Sequence, residues 1–191
     1  MRKLILIVHA SIDGFVADKS GTFDNFNQSP ENLDFVNSLT NEADTALAGR
    51  VSYQMLESAW PSVKDKPGAT ESEINYSNWY NRARKIVLST TLSGVTQENM
   101  IIISEHIPDE IQKLKGQGNS NILMFGSPTA FQTLFRYNLI DEYYIILYPV
   151  VFGRGIPLFS GNEVLKHLKL TGTKQLSKGE IVLNYQKQPD N

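Results

Sequence analysis

The chain has 191 residues, 41% hydrophobic and 20% charged, enough for one globular domain with a substantial core. A formal net charge of −2, with the basic residues scattered, gives nucleic acid no bulk electrostatic attraction. The absence of cysteine excludes disulfides, thiolate metal sites and a cysteine nucleophile, and His9, His106 and His167 lack ligand spacing, so no metal is expected.

The first residues, "MRKLILIVHA", imitate a secretory leader through Arg2 and Lys3. Their apolar stretch, Leu4 to Val8, is shorter than the roughly 7–15 residues such a leader needs. No window approaches the about 20 apolar residues of a membrane span, so a soluble cytoplasmic protein is expected. The run 3–10 reads instead as a buried strand, ended by Ser-Ile-Asp-Gly. Residues 18–30 are polar and rich in Gly, Asn and Ser, hence loop. Pro30-Glu31 opens a helix with Leu33, Val36 and Leu39 on one face. A short strand follows at 45–49, then a helix at 50–60 ended by Trp60-Pro61. The polar stretch 61–82 reads as an ordered lid or a long loop.

Further on, strands are expected at 85–89 and 100–104 and a helix near 108–115. A strand at 121–125 precedes a helix at 129–138, and a long strand covers 142–151. The tail holds two alternating segments around Ser177-Lys178-Gly179, a hairpin signal. Strands alternating with helices predict an α/β fold with a mostly parallel central sheet, to which the hairpin adds antiparallel strands. No linker or boundary divides residues 1–191.

Three turns share one design, a buried strand followed by small or hydroxyl residues: Gly49-Arg50-Val51-Ser52, Ser89-Thr90-Thr91 and Gly126-Ser127-Pro128-Thr129. Two of them open a helix. Ligands of open α/β sheets bind outside the carboxyl ends of the strands. A helix N-terminus offers unpaired N–H groups and about half a positive charge to a phosphate. Arg50 adds a planar donor fork. Each turn alone is equally served by ordinary helix capping. Three along one edge, one with an arginine, point to a polyphosphate ligand. None of them is a Rossmann or Walker motif.

The segments "SIDGFVA", "LAGRVSYQML", "KIVLSTTL", "LMFGSPTAFQTLF" and "NLIDEYYIILYPVVFGRGIPLF" follow one another across nearly the whole chain. Together they resemble the dihydrofolate reductase-like superfamily, in the branch similar to the reductase domain of riboflavin biosynthesis. "GRVSY" resembles the superfamily's G-R-x-T-[WY] turn, with Ser52 for the threonine. The resemblance implies a three-layer dihydrofolate reductase-like fold that binds NADPH. It implies that Phe125, Gly126, Ser127, Pro128 and Thr129 receive the pyrophosphate. Gly49, Arg50, Val51 and Ser52 would hold phosphates, and Leu88, Ser89, Thr90 and Thr91 would flank the adenosine end. His9, Ala10, Val16 and Ala17 match the strand and loop that lie against the nicotinamide in relatives. Such proteins often carry two successive glycines where Gly126-Ser127 stands, with an adjoining peptide that can be cis.

Reduction of a C=N bond needs a proton for nitrogen, and folate-reducing relatives take it from a carboxylate on the first helix. The candidates here are Glu31 and Asp34. Asp34, between Leu33 and Phe35, would be raised as an acid by burial; a solvated helix residue is the alternative. Asp13 faces substrate or shapes its turn. Asp141 and Glu142 match a structural pair, and Tyr143, Tyr144 and Tyr148 read as strand packing, with Tyr148 beside the pocket.

The expected activity is NADPH-dependent reduction of a small heterocyclic or carbonyl substrate, as in the phosphoribosylaminouracil reductase of riboflavin biosynthesis. The zinc deaminase often fused to that reductase needs cysteine ligands, which this chain lacks. A ribose phosphate would want clustered basic residues, and only Arg154 and Arg136 lie near the motifs. The alternative is a non-catalytic nucleotide-binding protein that keeps the fold. A homodimer is expected, because the tyrosine-rich strand and the hairpin present edges that need cover; no nucleic acid or membrane partner is.

Overall fold

The structure is a computed structural model that describes residues 1–22, 24–92, 98–160 and 165–188. In chain order the elements begin with β1 (Leu4–Ser11), β2 (Phe15–Asp18), α1 (Pro30–Thr40), β3 (Ala43–Gly49) and α2 (Arg50–Ala59). A 3-10 turn (Val63–Asp65), α3 (Glu71–Arg82), β4 (Arg84–Leu88), β5 (Met100–Ile103) and α4 (Ile107–Lys115) follow. The rest are β6 (Asn121–Phe125), α5 (Pro128–Arg136), β7 (Glu142–Tyr148), β8 (Gly155–Pro157), β9 (Leu168–Gln175) and β10 (Ile181–Lys187).

Eight strands form one sheet in the order β5-β4-β3-β6-β1-β7-β10-β9. From β5 to β7 every pair is parallel; β10 runs antiparallel to both β7 and β9. The parallel strands are apolar without alternation because helices cover both faces. β1 shows this directly. Leu4, Leu6 and Val8 join Ile111 and Leu114 of α4 and Phe131 and Leu134 of α5 in one core. Ile5 and Ile7 point the other way, to Val36 of α1 and Tyr76, Trp79 and Tyr80 of α3. The period of two along a strand therefore builds the three layers.

Residues 61–82 are neither lid nor long loop. Most of that stretch is α3, which packs with α1 under the sheet. The Thr70 hydroxyl accepts from the Glu73 N–H while the Glu73 carboxylate accepts from the Thr70 N–H, a capping box. Tyr76, Trp79 and Tyr80, at helical spacing, are buried, and Trp79 Nε1–H donates to the Ala43 carbonyl at 2.7 Å. β2 and β8, a small antiparallel ribbon beside the main sheet, are too short to carry a periodic signal.

The opposite edge is tied by charge. Asp141 accepts from the buried Lys115 at 2.5 Å, from Lys187 at 2.7 Å and from the Leu4 N–H. Glu142 pairs with Lys3 at 2.6 Å. These carboxylates hold strand ends together, the structural role expected of the Asp-Glu pair.

Candidate functional site

Because β4, β3 and β6 are adjacent and parallel, the three small-residue turns stand side by side at one edge of the sheet. The turns after β3 and β6 are joined directly. Ser127, caught at φ 59° just after Gly126 at φ 50°, turns its hydroxyl back to accept from the Gly49 N–H at 2.8 Å. Holding a non-glycine residue in the left-handed region costs about 1–2 kcal/mol, and the bond to Gly49 offsets part of it. The Gly126–Ser127 peptide is trans. Gly49 lies close under this turn: a Cβ there would sit 3.4 Å from the Ser127 side chain, in ordinary contact. A Cβ on Gly126 would meet nothing within 4 Å, so open space lies over that turn.

The consequence is a pair of helix N-termini, of α2 and α5, opening at one place. Pro128 stands at the first position of α5, where no N–H is needed, and Thr129 follows, exposed. Val51 is exposed, Ser52 is half-buried, and the exposed Arg50 bonds Gln54 on its own helix at 3.1 Å. The third turn is quieter. Leu88 is buried in the core, and the Ser89 hydroxyl accepts from the Thr91 and Leu92 N–H groups, so it serves its own turn. Thr90 and Thr91 are exposed. Phe125 ends β6 with its ring edge-on to Tyr76 and Trp79.

At the far end of the same edge β1 outlasts β6: the last β1–β6 pair is Ile7↔Phe125, while β1 continues beside β7 to Ser11↔Tyr148. His9 stands on this overhang, on the α1 face, and buried Ala10 faces the other way with half-buried Val16 nearby in the opposite core. The ring of Tyr148 lies 5.3 Å from His9 and 4.7 Å from Phe26, and Phe26 lies 5.1 Å from Phe152. The Asn32 amide donates to the Tyr148 hydroxyl at 2.7 Å, and the His9 Nδ1 lies 3.4 Å from that hydroxyl. Burial pushes the His9 imidazole down to about 4, against the opposing pull of Glu180, and burial pushes the Tyr148 phenol up. Both are neutral at physiological pH. Burial also pushes the Glu180 carboxyl up, but bonds from its own N–H, Ser29 and Lys178 outweigh this and leave it below the usual range.

The two carboxylates expected to take part in catalysis, Asp34 and Asp13, both lie in hydrogen-bonded surroundings of their own. Asp34 is exposed, accepts from the Ser72 hydroxyl and lines an open groove between α1 and α3 with Asn75 and Arg82. The expected burial is absent. The reason is helical geometry. The inward residues of α1 are Asn32, Val36 and Thr40, four apart, and a position two away from Asn32 faces outward. Asp13 accepts from the Ser11 hydroxyl at 2.7 Å and from the Phe152 and Gly153 N–H groups at 3.1 and 2.7 Å. The Ser11 hydroxyl, with those amides, holds its carboxyl below the usual range. It is an ionised staple between two loops. Glu31 accepts from the Ser177 hydroxyl at 2.6 Å.

Asn32 and Phe26 belong to the aromatic end and carried no signal of their own. The first could have been found from the four-residue spacing with Val36 and Thr40; the second lies in a polar loop and had none. Arg154 is exposed, and Arg136 ends α5 at the opposite edge of the sheet, so the two do not form a basic cluster. Among the described residues no group of three or more His, Asp or Glu is placed to hold a metal, and no helix is long and apolar enough to cross a membrane.

A mostly parallel sheet with helices on both faces, an antiparallel C-terminal hairpin and paired helix N-termini at one edge defines a dihydrofolate reductase-like protein. The chain belongs to the RibD C-terminal domain family, whose model matches residues 2–182. It is 30% identical over 186 residues to the uncharacterized protein YyaP of Bacillus subtilis, covering 96% of this chain and 94% of that one. A crystal structure of a riboflavin biosynthesis protein from Shewanella, itself assigned only provisionally, superposes with a TM-score of 0.74 at 23% identity over 99% of this chain and all of the other. Dihydrofolate reductase from Enterococcus faecalis, complexed with NADP(H), shares the fold at a TM-score of 0.63 and 14% identity, over 98% and 97% of the two chains.

Proposed function

We propose that this protein is an NADPH-dependent reductase of a small heterocyclic or carbonyl compound. The observation that carries the reading is the Ser127–Gly49 bond, which brings the N-termini of α2 and α5 together beside Arg50. The residues present suit a dinucleotide. Open space lies over Gly126, oriented N–H groups border it, and a guanidinium is within the same turn as Gly49. NADPH, when bound, supplies a hydride. The chain's own part is to hold the pyrophosphate at these two turns and to keep the aromatic end dry. Calorimetric titration tests this: NADPH should bind, and bind more tightly than NADH. No binding of either would remove the reading.

One observation favours a second reading, a nucleotide-binding protein without turnover: neither Asp13 nor Asp34 is disposed as an acid. A screen of nicotinamide oxidation with dihydrofolate, a pyrimidine precursor of riboflavin, quinones and dicarbonyls separates the two. Turnover of any of them supports the reductase. We further propose a homodimer, built on β9, the last strand of the sheet, whose outer edge has no strand partner among the described residues and where Leu170 is exposed. Light scattering should return twice the 21.5 kDa of one chain.

A further inference from the structure

We propose that His9 selects the ligand at the aromatic end, donating from its Nε2–H to a carbonyl oxygen on a planar ring that takes the place filled by Phe26. This rests on the reductase reading for the identity of the site, and it specifies which chemistry the site accepts.

The hydrogen bonds give the polarity. An amide nitrogen can only donate, so at 2.7 Å from Asn32 Nδ2 the Tyr148 oxygen is the acceptor. Its own proton needs another partner, and the His9 Nδ1 is the acceptor that stands in reach, at 3.4 Å. A neutral imidazole that accepts at Nδ1 carries its proton on Nε2. Nε2 has no bond among the described residues and is not sealed off, for His9 is half-buried. The relay Asn32–Tyr148–His9 thus presents one donor to the edge of the sheet.

The nearby acceptors are already committed. Glu180 takes the Ser29 N–H at 2.6 Å and the Lys178 N–H at 3.1 Å. Asp13 takes the Phe152 and Gly153 amides. A carboxylate on α1 would bind the donor edge of a heterocycle. This neutral set does the reverse and demands an acceptor.

The shape requirement comes from Phe26. Its ring is 4% exposed and lies against Tyr148, Phe152 and the edge of His9, with centroids 4.7, 5.1 and 6.2 Å away. It sits on the loop between β2 and α1, outside the sheet and helices. A flat ring already fills an aromatic slot, so a flat ligand can replace it with the same contacts.

Two planar bicyclic probes on one carbon skeleton test the proposal without cofactor: menadione, a quinone with two carbonyl oxygens, and 2-methylnaphthalene, which has none. The chain has no cysteine to be alkylated by the quinone. Menadione should bind about tenfold more tightly, as one neutral hydrogen bond of about 1.4 kcal/mol allows, and should shift the His9 Nε2 resonance. His9→Phe should erase the preference. Tyr148→Phe, which keeps the ring packing, should lose the single Nε2–H tautomer in the nitrogen NMR spectrum and most of the preference. Equal affinity for the two probes, an unmoved His9 signal on menadione binding, or a preference that survives in His9→Phe overturns the proposal. Failure of NADPH to bind would instead sink the reductase reading, which the probe titrations do not touch.

Discussion

The two ends of the sheet edge solve opposite problems. At the β3 and β6 turns, helix N-termini and an exposed guanidinium favour negative charge. Beside β1 and β7 the surroundings are four rings and a chain of neutral hydrogen bonds, in which burial has removed charge from His9 and kept Tyr148 protonated. In the reading proposed above, grip and selection are therefore separable. One end can be damaged without altering the chemistry of the other.

Gly126→Val should separate them most sharply. A β-branched residue at φ 50° is strained whatever the space around it, and its side chain would enter the open volume over the turn. NADPH affinity should fall more than about a hundredfold, about 2.7 kcal/mol, while the His9 nitrogen spectrum stays as in the wild type. A spectrum that changes in parallel would mean that the two ends are one cooperative unit. Arg50→Ala removes a charge-assisted donor worth about 1.5–3 kcal/mol and should weaken NADPH about ten- to a hundredfold with the melting temperature unchanged. Equal binding by both variants and wild type would reduce the turns to helix caps.

Acid should act on the aromatic end. With a folded-state pKa of about 4 against an ordinary 6.5, His9 resists a proton that the unfolded chain accepts. The unfolded state therefore binds more protons between these values. Stability is full above about pH 6.5 and declines as pH falls toward about 4. Melting curves of wild type and His9→Gln across this range should diverge at high pH and converge at low pH; parallel curves would show that His9 is not the group being charged. The smallest effect is expected at Asp34→Asn. The carboxylate is exposed and bonds only Ser72 among the contacts described, so stability should move by less than about 0.5 kcal/mol and NADPH affinity not at all. A large loss at either end would restore a role for this residue.

The same contrast explains what could be read from the amino-acid sequence. Each of these turns is contiguous, a strand followed by its own glycine and hydroxyls, so Gly49, Arg50, Gly126 and Ser127 were legible as a group, as were the strands they follow. The aromatic end takes His9, Phe26, Asn32, Tyr148 and Phe152 from separate segments, and only the β1–β7 pairing brings them together. Asp34 attracted notice through apolar neighbours in sequence, although neighbours along a helix point in different directions. α3 hid because Glu, Ser and Asn dominate it, and its aromatic stripe shows only once Thr70 and Glu73 are seen as its start.

The strand order has a consequence for how the chain comes into being. β1 leaves the ribosome well before either of its partners, which are distant in sequence: Leu4 pairs with Ile122, and Ile5 with Glu142. Until β6 has been made this uninterrupted apolar strand has two open edges, and until β7 has been made it keeps one. Pairings this remote in sequence form slowly, and open strand edges invite association with other chains. A ribosome stalled before β6 would therefore hold a nascent chain with this apolar strand unsheltered on both edges, a natural client for a chaperone.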